Sequence, residues 1–207
     1  MMNLKSLVLL SLILFPASLF SQDTKADSDG NNRMNTISLG VGMNIPFKPN
    51  SEDYGMGMSV GQRYEFLLWS HWSLVESCSY NFISGKDVNK YYYGEYVDVS
   101  YKNFSTVPLQ FGVGYYFGAD QTAFFVLLKG GIAWYWGENP AFPEINVNGN
   151  VVREAVPAES FSGTYSFFTP TVGWQFKKAA ISASYQGHVE QDASLNILNV
   201  SFFYRIY

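Results

Sequence analysis

The chain is 207 residues long, enough for one domain with a sizeable core, and 47% hydrophobic, which excludes intrinsic disorder. Only 14% of residues are charged, against roughly 25% in soluble proteins, while 18% are aromatic. A net charge of −4 leaves no footprint for nucleic acid; the single Cys78 excludes a disulfide framework or a cysteine metal cluster, and His71 and His188 are too few for a histidine-rich centre, so no metal or cofactor is expected.

Residues 1 to 21 read as a secretory signal peptide. Lys5 precedes an apolar stretch from Leu7 to Phe20, broken by Ser11, Pro16 and Ser18. A spanning helix needs roughly 20 apolar residues, and Pro16 would break this one. Cleavage is expected after Ser21. Residues 22 to 34 are polar and aperiodic and read as a flexible leader. Residues 35 to 207 read as a single domain.

From Asn35 onward the pattern has a period of two, the signature of strands. TISLGVGMNIPF sets Ile37, Leu39, Val41, Met43, Ile45 and Phe47 against Ser38, Gly40, Gly42 and Asn44. GMSVGQRYEFLLW sets Met58, Val60, Tyr64 and Phe66 against Ser59, Gly61, Arg63 and Glu65, with Gln62 an exception on the apolar side. SLVESCSYNFISG has an ambiguous phase, because Leu74 and Glu76 fall on one face. VPLQFGVGYYF, TAFFVLLKGGIAWYW, SFFTPTVGWQF, AAISASYQGHV and the segment from Leu198 to Ile206 alternate in the same way, making eight strands.

The polar face is mostly Gly, Ser, Thr, Ala and Asn, whereas the water-facing side of a soluble antiparallel sheet should be rich in Lys and Glu. Small residues suit a crowded interior; large aliphatic and aromatic ones suit lipid. In hydrocarbon every backbone donor and acceptor must be paired, so the strands must close. The expected fold is therefore all-β, an eight-stranded antiparallel up-and-down transmembrane β-barrel.

Trp69, Trp72, Trp134, Trp136 and Trp174 all fall near strand ends, as expected of aromatic girdles at the headgroups. Connections alternate in length. Ser70–Trp72, Gly118–Gln121 and Lys177–Lys178 are tight; those near 48–56, 85–104, 137–162 and 187–193 are long. Short turns are periplasmic in such barrels, which puts both termini in the periplasm and the long loops outside.

Taken together, the leader, the eight alternating strands and the alternating loops resemble the small outer-membrane barrels of Gram-negative bacteria, the OmpX-like and PorT-like families. The stretch FSTVPLQFGVGYYFG is similar to the proline-containing fourth strand of PorT-like sequences. The resemblance implies an outer-membrane location in contact with outer-membrane lipid. One departure is the terminal Tyr207, which is out of phase with the lipid-facing set ending at Ile206.

The expected lumen charges are Arg63, Glu65, Lys129 and Arg205, with Glu76 added if its strand faces inward. In so narrow a barrel they are expected to plug the lumen by pairing rather than line an ion path. His188, Glu190, Asp192 and Ser194 combine imidazole, acid and hydroxyl, but the His-x-Ser pair of barrel lipid A deacylases fails because residue 190 is Glu; no enzyme is expected. The loop with Tyr91, Tyr92, Tyr93, Tyr96 and Tyr101 is the candidate recognition surface, since tyrosine is enriched in binding sites. INVNGNVV carries an Asn-Gly hairpin signal. The leading expectation is a structural or surface-interaction barrel with a protein or glycan partner at its outer loops. The alternatives are a narrow channel for small or apolar solutes and a lipid-modifying enzyme.

Overall fold

Eight strands close into one antiparallel barrel in a computed structural model that describes residues 35–47, 52–68, 71–118, 122–147, 150–188 and 196–206. The segments expected as signal peptide and leader lie outside these residues, as do Trp69, Glu190, Asp192, Ser194 and Tyr207. The wall consists of β1 (Thr36–Phe47), β2 (Tyr54–Leu67), β3 (Trp72–Gly85), β6 (Phe104–Phe117), β7 (Ala123–Glu138), β10 (Ser160–Gln175), β11 (Ala179–His188) and β12 (Asn196–Arg205). Each strand pairs with the next in this series, and β12 closes on β1 through Val41↔Phe202 and its neighbours. Closure leaves no free edge, which is the condition for a sheet in hydrocarbon. Two further hairpins, β4 (Asp87–Tyr92) with β5 (Glu95–Ser100) and β8 (Ile145–Val147) with β9 (Asn150–Arg153), stand at the end where the long connections lie.

Alternation sorts the side chains. Leu39, Val41, Val60, Val113, Leu128, Val172, Ile181 and Val200 are exposed on the outside, while Ser38, Asn44, Ser59, Gln110, Thr169, Ser182 and Ser201 are buried in the lumen. An apolar outside around a polar inside inverts a water-soluble barrel and suits a bilayer. Small lumen residues make room for larger neighbours: a Cβ on Gly40 would sit 2.4 Å from the Phe203 ring.

Rings gather at both ends of the apolar band. Trp72 packs edge-on against Tyr115 at 5.0 Å and Phe117 meets Phe124 at 5.4 Å by the short turns; Trp136 lies 6.0 Å from Tyr80 at the other end. From Phe124 to Trp134 along β7 is ten residues. At ~3.3 Å per residue and a tilt of ~40° that is about 25 Å along the barrel axis, the height of a lipid-facing band.

Three details differ from the sequence pattern. The strand with ambiguous phase turns Ser73, Val75, Ser77 and Asn81 inward, so Glu76 points out, not into the lumen. β2, β6 and β10 begin at Tyr54, Phe104 and Ser160, earlier than the apolar alternation implied. There Ser160, Ser162, Thr164 and Ser166 occupy the outward face, so this part of the wall is polar outside and rises above the apolar band.

Candidate functional site

At the short-turn end the lumen is closed by a charged cluster. Arg63 and Glu65, two residues apart on β2, share its inner face, and Arg63 Nε lies 2.8 Å from Glu65 Oε1. Arg63 is only 2% exposed. The Tyr116 hydroxyl donates to Glu65 Oε2, and the Arg63 guanidinium lies over the rings of Phe203 at 4.6 Å and Phe125 at 5.3 Å. Charges removed from water need this combination of ion pair, hydrogen bond and cation–π contact. Arg205, two residues past Phe203, donates to the Lys177 carbonyl at 3.4 Å, at the turn.

Farther in, Lys129 donates to Ser77 Oγ at 3.3 Å, Ser77 donates to Gln110 Oε1 at 3.0 Å, and the Gln110 amide reaches Thr169 at 3.4 Å. Asn199 donates to Asn44 at 2.7 Å and to Ser59 at 2.9 Å, and Asn81 donates to Thr106 at 3.1 Å. Ile83, Phe104 and Ile197 then fill the outer end, packed by Tyr54, Tyr135 and Phe161. Between the charged floor and this aromatic ceiling remains a cavity of about 60 Å³, lined by Arg63, Ser77, Gln110, Lys129, Thr169 and Ser182 among others. That is room for a few waters. The structure thus brings Arg63 and Glu65 together, sets Lys129 above them, and places Arg205 at the turn.

Above the ceiling the two outer hairpins share a core of their own. Val88, Lys90, Tyr92, Val97 and Val99 lie on one face of the β4–β5 hairpin, and Val99 is 0% exposed. Against it pack Ile145 and Val147 of the β8–β9 hairpin, with Phe142. Bridges between Ser100 and Ala141 and between Phe142 and Val156 tie the segments together. The Arg153 guanidinium lies 4.3 Å from the Phe142 ring centre and 5.8 Å from that of Tyr92. Lys90 pins the hairpin to the preceding connection through Asp53 Oδ1 at 2.7 Å and donates to the Tyr101 hydroxyl at 2.8 Å. Burial opposes its charge, but these two hydrogen bonds prevail and hold its pKa above the ordinary lysine value.

The other face of that hairpin is open. Asp87, Asn89 and Tyr91 stand opposite Ser100, Asp98 and Tyr96, all exposed. The Tyr91 and Tyr96 rings lie 5.0 Å apart, and the Asn89 amide donates to Asp98 Oδ1 at 2.9 Å. The tip turns through Tyr93 (φ 50°) and Gly94 (φ 91°), both in the left-handed region, as a two-residue hairpin turn of this twist requires. Gly adopts it freely; Tyr does so at a cost, and Tyr93 is thereby held out in the open.

The four tyrosines of the β4–β5 hairpin therefore divide. Tyr91, Tyr93 and Tyr96 are exposed, whereas Tyr92 packs inward against Phe142 at 6.0 Å. Alternation along β4 is the reason, since Tyr92 shares the face of Val88 and Lys90. The second half of the outer core, Phe142, Ile145 and Arg153, escaped the sequence reading, although the β-branched run of INVNGNVV was its signal. His188 is the last residue of β11.

No family model and no curated protein sequence matches the chain. Among solved structures, the N-terminal β-barrel domain of OprF from Pseudomonas aeruginosa is similar, at 13% identity over 83% of this chain and 98% of that one, with a TM-score of 0.50. OprG of the same organism matches at 7% identity over 83% and 92%, TM-score 0.48, and the attachment invasion locus protein Ail of Yersinia pestis at 16% over 83% and 97%, TM-score 0.45. At such identities the likeness is one of fold: this chain has the fold of a small eight-stranded outer-membrane barrel.

Proposed function

We propose that this protein is an integral outer-membrane barrel, closed to solutes, whose work is done by the cap that its long connections build outside the cell. Both termini and the short turns face the periplasm in this reading. The observation that carries it is the β4–β5 hairpin. One face is anchored in a hydrophobic core of its own, and the other holds out paired rings beside a hydrogen-bonded amide and carboxylate. A surface on a rigid support loses little entropy on binding.

The partner we infer is an uncharged glycan. Paired tyrosine rings offer flat apolar area for the C–H faces of a sugar, while Asn89 and Asp98 offer a donor and an acceptor for its hydroxyls. The hairpin carries Asp87, Glu95 and Asp98, and its one cation, Lys90, is engaged on the inner face. That balance repels polyanions such as sulfated chains. Purified barrel in lipid nanodiscs should bind neutral glycans on an array, with little salt dependence, and the Tyr91→Ala/Tyr96→Ala variant should lose the binding. A preference for sulfated chains, or unchanged binding by the variant, contradicts the reading.

A further inference from the structure

Glu76 stands on the outer wall of the barrel, midway between the two aromatic levels. The outward residues of β3 are Trp72, Leu74, Glu76, Cys78, Tyr80 and Phe82. Trp72 meets Tyr115 at the short-turn level and Tyr80 meets Trp136 at the opposite one, and Glu76 is four residues from each. Its ladder neighbours are Tyr64 on β2 and Phe111 on β6. Gln62, opposite Cys78, brings a carboxamide to the adjoining outward position on β2. Elsewhere on the described wall the central outward side chains are Val41, Val113, Leu128, Val172, Ile181 and Val200. An acid at this depth is costly, and such groups inside membranes are held by partners. The lumen charges are no help to it, because the wall separates them.

We propose that Glu76 and Gln62 form the centre of an interface through which two copies of this chain associate side by side in the membrane. The carboxyl of each copy meets the carboxamide of the other. The two groups are complementary: a neutral carboxyl donates its O–H to the amide oxygen and accepts an amide N–H in return. Two barrels inserted in the same direction are related by a two-fold axis along the membrane normal. When that axis passes between β2 and β3, residue i of one copy meets residue j of the other, and j meets i. A patch with one acid and one amide then satisfies itself twice. Lipid tails offer neither donor nor acceptor. The Gln62 amide has two hydrogens, so a bond within its own chain leaves one for the partner.

The test is self-association of the full barrel in phospholipid vesicles, read by energy transfer between labelled copies as the protein-to-lipid ratio rises. Wild type is expected to associate, and both Glu76→Leu and Gln62→Leu to weaken association by about tenfold or more. Glu76→Leu replaces an acid on the lipid face with an apolar side chain, so the barrel should still fold. Glu76→Gln should retain much of the association, since two amides also pair. Monomeric wild type across the range overturns the proposal, as does unchanged association by either leucine variant.

Discussion

Arg63 and Glu65 sit two residues apart on one strand, buried in the lumen with Nε and Oε1 2.8 Å apart. The period of two places both on the inner face of β2, and the Phe125 and Phe203 rings enclose the guanidinium. Removing either partner leaves the other charge buried. Arg63→Ala and Glu65→Ala should each cost about 3–5 kcal/mol in reversible urea unfolding from lipid vesicles. Replacing both, as Arg63→Met with Glu65→Leu, should cost clearly less than the two alanine variants summed. Additive losses would mean that the two side chains do not act as a pair.

With a charged floor and an aromatic ceiling, the lumen should not conduct. Purified protein in planar bilayers is expected to show no steady single-channel current. Large, stable openings would support the channel alternative in place of the closed barrel.

Val126 lies on the outward face of β7 in register with Tyr115, and Ser184 lies on the inner side of β11 opposite Thr171. Leu128→Arg, on the same face near the midpoint between Phe124 and Trp134, should destabilise the barrel by about 2–4 kcal/mol in vesicles. A dye on Val126→Cys should be quenched by brominated lipid, and one on Ser184→Cys should not. The reverse pattern would mean that the two faces have been exchanged.

Tyr93 holds a left-handed conformation that costs a non-glycine residue about 1 kcal/mol. Tyr93→Asn keeps the turn and fits it better, because Asn-Gly is the favoured pair there. Amide exchange of Val97 and Val99 should slow several-fold in this variant. Glycan binding should weaken at the same time if the exposed ring contributes to it.

Lys90 links pH to the cap. Its pKa is raised in the folded state, so its contribution is fully present below the ordinary lysine value and is lost as pH rises through the higher, folded one. Exchange protection in the β4–β5 hairpin should therefore hold from neutral pH to about pH 10. Lys90→Met should weaken it by about 1 kcal/mol at pH 7, since the pair with Asp53 is partly exposed.

Much of the barrel was legible in the chain itself. Seven of the eight strands announce their inside and outside, because lipid and a crowded lumen demand opposite residue types and a strand alternates at every position. The inward placement of Arg63, Glu65, Lys129 and Arg205 follows from that period alone. The strand with Leu74, Val75, Glu76 and Ser77 carries apolar and polar residues on both faces, so its pattern holds no phase. Only the register with its neighbours, Tyr64↔Glu76↔Phe111, decides that Glu76 faces outward. The cap belongs to tertiary structure in the same sense. Val99 and Ile145 lie 46 residues apart in sequence, and no local period can say that they share a core. Hydrophobic contact between distant hairpins decides it, and with it which tyrosines turn inward and which remain open to a partner.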